Sequence, residues 1–194
     1  MQKLTKQELR KILREQRREI ADKETADSLI FDRFIRSEYY QRAETILCYV
    51  SLEEEISTDE IISRSLQDGK KVAVPLCEDT EGHMHFHLIH SLNDLVNGFF
   101  GVREPIKEKC IKLTDFQGAV IIVPGISFNK EGYRIGYGKG YYDRFLKNFP
   151  FISIGLCYNS LIHPLQIAED YVIPVDIILT QTETIDTHIG GKNG

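Results

Sequence analysis

A glycine-rich segment at residues 123–145 contains the residue types most able to do chemistry. From Gly132 it reads GYRIGYGKGYYD, so four glycines alternate with cationic and aromatic side chains. Glycines let backbone N–H groups approach an anion closely, because no Cβ obstructs the approach. Arg134 and Lys139 add full positive charges to the same segment. The segment therefore predicts a site for the phosphates of a nucleotide.

This segment matches neither of the common nucleotide-binding fingerprints. A Walker loop requires Ser or Thr after Gly-Lys, and here Gly140 follows Lys139. The dinucleotide pattern is GxGxxG, whereas the spacing here is GxGxG. Asp143 is then the natural carboxylate to hold Mg²⁺ beside the phosphates. The alternative is that the glycines only form tight turns and that Asp143 caps a helix or pairs with a neighbouring arginine.

The elements on either side of this segment predict where it lies in the fold. Residues 119–123 (AVIIV) are apolar throughout, which is typical of a central parallel strand covered on both faces. A helical pattern follows at residues 140–149. Ligands of open α/β sheets bind at the carboxyl ends of the strands, and the start of a helix favours an anion. A strand, a glycine loop and a helix in this order favour phosphate binding.

The rest of the chain alternates between helical and strand periodicity. Helices are predicted at 6–20, 25–35 and 57–66, the last opened by a Ser57–Glu60 capping box. Strands are predicted at 45–50, 71–76, 84–89, 119–123, 151–156 and 177–180. This order predicts a single three-layer Rossmann-like α/β domain over residues 1–187, with helices on both faces of a mostly parallel sheet and a flexible tail at 188–194.

Composition and charge narrow the class of protein. The formal net charge of −5 gives no electrostatic reason to expect a nucleic-acid or membrane partner. The charged first residues lack the apolar core of a signal peptide, and no apolar run approaches the length of a membrane span. The four cysteines have no CxxC spacing. We expect a cytoplasmic monomer with free thiols.

A basic stripe runs along the first predicted helix. Lys6 and Arg10 are four residues apart, so they share one face and can reach the same anion. Arg14 and Arg17 continue the stripe, and Arg18 is expected on the surface. Charge runs of this kind are usually solvated helix faces.

The run at 132–143, preceded by Val-Pro-Gly at 123–125, closely resembles the signature of the 5-formyltetrahydrofolate cyclo-ligase family, also called methenyltetrahydrofolate synthetases. The resemblance extends to the Lys6-x-x-x-Arg10 helix, to residues 49–56 and to the sequence IPVD at 173–176, so it covers nearly the whole chain. It implies a fold related to sugar-phosphate isomerases and CoA transferases. The implied activity converts 5-formyltetrahydrofolate and ATP into 5,10-methenyltetrahydrofolate, ADP and phosphate, with Mg²⁺ as cofactor.

The resemblance also implies roles for particular residues. The implied ATP-binding set is Lys6, Arg10, Arg134, Ile135, Gly136, Tyr137, Gly138, Lys139, Gly140, Tyr141 and Tyr142. The implied folate-binding set is Leu52, Glu55, Ser57, Tyr137, Gly138, Lys139, Gly140 and Tyr141. Arg134 and Lys139 are expected to be catalytic, Asp143 to bind Mg²⁺, and Asp176 to be a second metal ligand. The match favours Lys6 and Arg10 over Arg14 and Arg17 as phosphate ligands.

The sequence departs from the family pattern at two positions. Ser57 stands where some members carry an acidic residue, which leaves Glu55 as the preferred carboxylate facing the pterin. Lys139 stands where many bacterial members have another glycine, and it adds a cation that can contact phosphate directly.

Other functions stay open from the sequence alone. His83, His85 and His87 alternate along a predicted strand, and such a pattern can bind a metal, although a half-exposed strand face is the favoured interpretation. A sugar-phosphate isomerase or CoA transferase on a related fold would not need Mg-ATP. A non-catalytic folate- or nucleotide-binding protein would bind both ligands and release no product.

Overall fold

The computed structural model describes residues 5–77, 83–98, 101–164 and 172–188, which form an α/β fold around one large sheet. The helices in these ranges are α1 (Lys6–Arg18), α2 (Lys23–Arg36), α3 (Glu38–Arg42), α4 (Asp59–Gln67) and α5 (Tyr141–Leu146). The strands are β1 (Thr45–Cys48), β2 (Lys71–Cys77), β3 (Met84–Ile89), β4 (Leu95–Asn97), β5 (Arg103–Pro105), β6 (Ala119–Val123), β7 (Ser127–Phe128), β8 (Arg134–Ile135), β9 (Ser153–Leu156), β10 (Ile177–Leu179) and β11 (Thr184–Asp186).

The large sheet has the strand order β11-β10-β9-β6-β1-β2-β3. The five strands from β10 to β2 run parallel, and only the edge strands β11 and β3 pair antiparallel with their neighbours. All five residues of β6 are buried, as expected for a strand with parallel neighbours on both sides. The predicted mostly parallel α/β sheet is therefore confirmed.

The strand order identifies the point in the sheet where a ligand is expected. From β1 the chain crosses through α4 to β2 on one side, and from β6 it crosses through α5 to β9 on the other side. Since parallel crossovers are right-handed, these two connections cover opposite faces of the sheet. The order reverses between β1 and β6, and open α/β sheets bind ligands outside the carboxyl ends of the strands at such a point.

The helix starts show where local sequence rules hold and where tertiary contacts replace them. Thr5 caps α1 and forms a capping box with Glu8. The capping box predicted for α4 is wrong, because the N-cap is Thr58 and its side chain makes no cap hydrogen bond. The Thr58 hydroxyl instead donates to the carbonyl of Tyr49 at 2.8 Å and accepts from the N–H of Ser51 at 3.1 Å. Thr58 thus ties the segment after β1 to the start of α4.

Several short elements were not predicted. These are α3, the two-stranded pairs β4–β5 and β7–β8, and the edge strand β11. Two- and three-residue strands are too short to show a period of two in the sequence. The last helix, α5, ends at Leu146 rather than at the predicted residue 149. Of the five helices in the described ranges, none combines the length and hydropathy that crossing a bilayer requires.

Candidate active site

The glycine loop at 136–140 lies against α1. Nε of Arg10 donates a hydrogen bond to the carbonyl of Gly136 at 2.9 Å. Gly138 has φ of 94°, and a Cβ at this position would lie 3.1 Å from the Arg10 guanidinium. Both the backbone conformation and the close approach therefore require glycine at position 138. The structure brings Arg10 and the loop together, and Lys6 lies one turn before Arg10 on the same helix.

Lys139 occupies an exposed position in this loop, and Gly140 forms the N-cap of α5 in the left-handed region at φ 72°. Tyr141 and Tyr142 begin the helix and are half-buried. The Tyr142 hydroxyl is buried and makes no hydrogen bond within the described residues. Burial raises the pKa of Tyr142 well above its usual value, so its hydroxyl stays protonated.

Arg134 and Asp143 form a buried ion pair beneath the loop. Nη2 of Arg134 lies 2.8 Å from Oδ1 of Asp143, and Nη1 donates to the carbonyl of Ile173 at 2.8 Å. The N–H of Ile173 also donates to Oδ1 of Asp143, at 3.1 Å. Burial lowers the pKa of the Arg134 guanidinium, and the Asp143 carboxylate opposes that shift. Pairing of Asp143 with a neighbouring arginine is the alternative left open by the sequence, and the structure contains this pair.

Two predicted residues of the site are held away from the loop surface. Ile135 is 2 % exposed and contributes to the core, while its carbonyl accepts from the N–H of Ile126. Asp176 precedes β10 and accepts from both the N–H and the hydroxyl of Ser153, each at 2.7 Å. His188 lies 2.8 Å from the other oxygen of Asp176. Both carboxylate oxygens of Asp176 are therefore engaged at the amino ends of β9 and β10.

The donor set available to a metal is small. Among the described residues, no group of three or more His, Cys, Asp and Glu side chains is placed to hold an ion. Magnesium commonly binds one or two carboxylates and completes its shell with substrate phosphates and water. Asp143 fits that mode, since it is a partly exposed carboxylate at the base of the predicted phosphate loop. Of the three histidines of the HxHxH pattern, His87 is buried and its Nδ1 contacts the carbonyl of Cys110.

Glu55 lies at the carboxyl end of β1 with both oxygens bound. The Tyr137 hydroxyl donates to Oε1 at 2.6 Å, and the N–H of Leu52 donates to Oε2 at 2.8 Å. Glu55 is only 6 % exposed. Burial and the nearby Glu55 charge raise the pKa of Tyr137, so the hydroxyl remains a hydrogen-bond donor. The bond links the glycine loop directly to the segment predicted to bind the pterin.

A polar cleft of about 470 Å³ opens beside Glu55. The three residues predicted on the pterin side, Leu52, Glu55 and Ser57, all line it. The volume lies within the range of small-molecule sites, about 300–1,000 Å³. Its charged lining residues are Lys23, Glu53, Glu55, Asp59 and Arg103, and Arg103 pairs with Asp59 at 2.6 Å. With three carboxylates against two cations, the cleft favours a ligand that presents N–H donors.

Sequence reasoning missed Arg17, which the structure buries at the same place. Arg17 is 5 % exposed, and Nη2 donates to the Tyr137 hydroxyl at 2.8 Å. A signal was present, because Leu9, Leu13 and Arg17 follow one another at intervals of four residues, so Arg17 lies on the apolar stripe of α1. Because α1 is rich in charged residues, Arg17 was interpreted as part of its basic stripe.

Comparison with known proteins shows the family of this chain. Residues 2–181 match the family model described as the 5-formyltetrahydrofolate cyclo-ligase family. A Caenorhabditis elegans protein described as a probable 5-formyltetrahydrofolate cyclo-ligase is 32 % identical over 202 residues, covering 94 % of this chain and 96 % of its own.

Two solved structures share the fold. A 5,10-methenyltetrahydrofolate synthetase of Aquifex aeolicus superimposes with a TM-score of 0.82 at 25 % identity, over 98 % of this chain and 95 % of the other. A protein of the same description from Mycoplasma pneumoniae gives a TM-score of 0.71 at 20 % identity, over 92 % and 99 %.

Proposed function

Because the chain belongs to the 5-formyltetrahydrofolate cyclo-ligase family and is therefore an enzyme that acts on a folate, we propose that it uses Mg-ATP to close the ring of 5-formyltetrahydrofolate. The products are 5,10-methenyltetrahydrofolate, ADP and phosphate. The observation that carries the proposal is the 2.6 Å hydrogen bond between Tyr137 of the glycine loop and Glu55 of the cleft. This bond supports the proposal because it joins a residue assigned to the triphosphate to a residue assigned to the pterin.

The proposed chemistry solves a difficulty of the substrate. A formamide carbonyl is a poor electrophile and its oxygen is a poor leaving group. The formyl oxygen attacks the γ-phosphorus, so a new P–O bond forms as the bond to ADP breaks. The neighbouring linker nitrogen then attacks the formyl carbon and loses its proton, and the C–O bond breaks to release phosphate. The formyl oxygen leaves in the phosphate.

Phosphoryl transfer depends mainly on positioning and on stabilising charge. Lys139, Lys6 and Arg10 would clamp the phosphates from the loop and from α1. Arg134 would assist from below the loop, where it also orients Asp143 at 2.8 Å. Asp143 would hold Mg²⁺, which neutralises phosphate charge when bound. Asp176 is the second choice for the metal, since its oxygens already bind Ser153 and His188.

The folate side is assigned to the cleft and to the face of the loop beside it. The reduced pterin carries N–H groups, and Glu55 is a buried acceptor at the cleft. Leu52 and Ser57 line the same cleft, and Tyr137 of the glycine loop reaches Glu55 at 2.6 Å. Tyr141 begins α5 just after the loop and is assigned to the folate as well. We expect the enzyme to act in the cytoplasm as a monomer on two small molecules, with no nucleic-acid or membrane partner.

The proposal is tested by mixing purified protein with 5-formyltetrahydrofolate and Mg-ATP. We expect the near-ultraviolet absorbance of the methenyl product to appear with one ADP per product, and to vanish when ATP or Mg²⁺ is omitted. Folded protein that binds both ligands without product would support a non-catalytic binding protein instead. Product formed without ATP would contradict the phosphorylated intermediate.

A further inference from the structure

Arg17 places a permanent cation at the point where the strand order reverses. Its guanidinium reaches the segment after β6 through the Gly125 carbonyl, at 3.4 Å, and the glycine loop through Tyr137, at 2.8 Å. Gly125 is required here because a Cβ would lie 2.5 Å from the Phe128 ring. Arg17 and Glu55 line one small cavity of about 10 Å³, the size of a single water molecule.

The hydrogen bonds around Arg17 have only one possible direction. A guanidinium has donors and no acceptor, so Tyr137 must accept from Arg17. The Tyr137 hydroxyl proton is then available to Glu55, to which it donates at 2.6 Å. With Leu52 N–H donating to the other oxygen, Glu55 accepts on both sides. Hydrogen bonds in such a chain polarise one another, and those to charged groups are the stronger ones.

Tyr137 distinguishes Arg17 from the neighbouring arginines of α1. Arg17 also forms an ion pair with Glu54, at 3.4 Å. The same carboxylate pairs with Arg14 at 3.6 Å and with Arg18 at 3.1 Å. Loss of Arg17 would leave Glu54 with two arginines. Arg14 contacts Tyr137 only by stacking on its ring, 5.0 Å from the centroid. Arg17 donates to the Tyr137 hydroxyl at 2.8 Å, whereas Arg18 donates to Glu54.

The electrostatic effects agree with this geometry. Burial alone lowers the pKa of the Arg17 guanidinium, but its contacts with Tyr137, Glu55 and Glu54 together raise the pKa above its usual value. The cation is therefore stabilised by the same groups that it orients.

We infer that Arg17 is a positioning residue for the folate: acting through Tyr137, it holds the Glu55 carboxylate toward the cleft, and so controls folate binding and not ATP binding. The inference rests on the proposed function in assigning the cleft to the folate. Arg17 itself does not touch the substrate. It holds Tyr137 with the hydroxyl between Arg17 and Glu55.

The experiment compares Arg17→Met with Arg18→Met in the full-length protein. Both changes remove one arginine from Glu54, but Arg18 is 65 % exposed and Arg17 is 3 % exposed in their side chains. For Arg17→Met we expect the KM for 5-formyltetrahydrofolate to rise roughly 10- to 100-fold, the range for a lost hydrogen bond to a charged group. The KM for Mg-ATP should stay within about twofold, and Arg18→Met should change neither constant by more than about twofold.

A double mutant separates positioning from general packing. If Arg17 acts through Tyr137, Arg17→Met combined with Tyr137→Phe should be no worse than Tyr137→Phe alone, because the two share one pathway. Arg17→Lys should recover part of the folate affinity. Additive effects, equal rises in both KM values, or an unchanged folate KM in Arg17→Met would each overturn the inference.

Two further measurements keep the test decisive. Thermal unfolding shows whether Arg17→Met folds. If it does not, folate affinity is compared among Arg17→Lys, Tyr137→Phe and the unaltered protein. Equal affinity in all three would reject the inference. Direct titration of 5-formyltetrahydrofolate by calorimetry without ATP measures binding independently of turnover. If the unaltered protein binds the folate but makes no product, the proposed reaction is rejected. The folate affinities of the variants then still test the role of Arg17.

Discussion

The proposed site has a phosphate side and a folate side, and the residues assigned to the two sides are held differently. The phosphate side is a glycine loop resting on α1, with Lys139 exposed and Arg10 bonded to the loop backbone at 2.9 Å. The folate side is a cleft at the end of β1 whose acceptor, Glu55, is 6 % exposed and bound at both oxygens. The first is a backbone cradle that a mobile anion can enter, and the second is a fixed, preorganised carboxylate. Tyr137 joins them.

The two sides should therefore respond differently to substitution. A loop that cradles phosphate contributes mainly through charges stabilising the transition state, so losses there should appear in turnover. A preorganised acceptor for the pterin contributes in the ground state as well, so losses there should appear in folate affinity. The predictions below test this division, starting with the largest expected effect.

Lys139→Ala should reduce kcat about a hundredfold or more, by analogy with the ~2.7–4 kcal/mol cost of losing one charged or polar donor to a transition state. The folate KM should change little, because the ammonium acts on the phosphate side. Steady-state kinetics with both substrates measure the split. Lys147→Ala, another exposed lysine just beyond α5, is the control and should be near normal. A normal kcat for Lys139→Ala would remove this residue from the mechanism.

Arg134→Met should lower the free energy of unfolding by about 3 kcal/mol, because it leaves the Asp143 carboxylate without its buried partner. Urea unfolding followed by circular dichroism measures this change. The matched surface pair is Arg36 with Asp32, where the side chains are 81 % and 52 % exposed. Arg36→Met should cost no more than about 0.5 kcal/mol. Equal effects of the two variants would show that the Arg134 pair does not support the loop.

Glu55→Gln should raise the folate KM roughly 10- to 100-fold and leave the KM for Mg-ATP nearly unchanged. The amide keeps the shape of the side chain but loses the charge and puts an N–H₂ group where an acceptor is needed. Glu53→Gln is the control, because Glu53 lines the same cleft from an exposed position. If Glu53→Gln weakens folate as much as Glu55→Gln, the cleft acts through its total charge and not through one fixed acceptor.

Gly138→Ala should raise the KM for Mg-ATP several-fold, the smallest of these effects. The alanine must adopt φ near 94° with its Cβ 3.1 Å from Arg10, a strain on the order of 1–3 kcal/mol that shifts the loop. The control is Gly69→Ala, after α4 and outside the loop, where φ is also positive at 75° and a Cβ meets nothing within 4 Å. Both variants are compared by ATP titration at saturating folate. An equal effect from Gly69→Ala would contradict the loop geometry.

The sequence predicted what local rules determine. The β6 strand, the glycine loop and the helix after it have clear signatures within one stretch of chain, and the structure confirms the strand and the helix on either side of the loop. The pairing of Arg134 with Asp143 was foreseen only as an alternative, because residue spacing does not choose between a metal and an arginine as the partner of a carboxylate. The predicted Ser57 capping box is absent, because the N-cap is Thr58 and its hydroxyl donates to the Tyr49 carbonyl. Sequence rules for helix starts do not include such a tertiary contact.

The folate side was harder to predict because its contacts are distant in sequence. Glu55 and Tyr137 are 82 residues apart, and Arg17 and Tyr137 are 120 apart. Glu55 was assigned to the folate from the family resemblance alone. Arg17 was ranked below Lys6 and Arg10 because the same resemblance favoured those two, although its position on the apolar stripe with Leu13 indicated burial.

The most direct test of the account follows the formyl oxygen. 5-Formyltetrahydrofolate labelled with heavy oxygen in the formyl group is converted with Mg-ATP by the unaltered protein, and the released phosphate is analysed by mass spectrometry. Transfer of the γ-phosphoryl group to the formyl oxygen predicts that the label appears in phosphate, one atom for each methenyl product formed. Label found in water, with unlabelled phosphate, would contradict the phosphorylated formyl intermediate and with it the reason for placing the two sides of the site together.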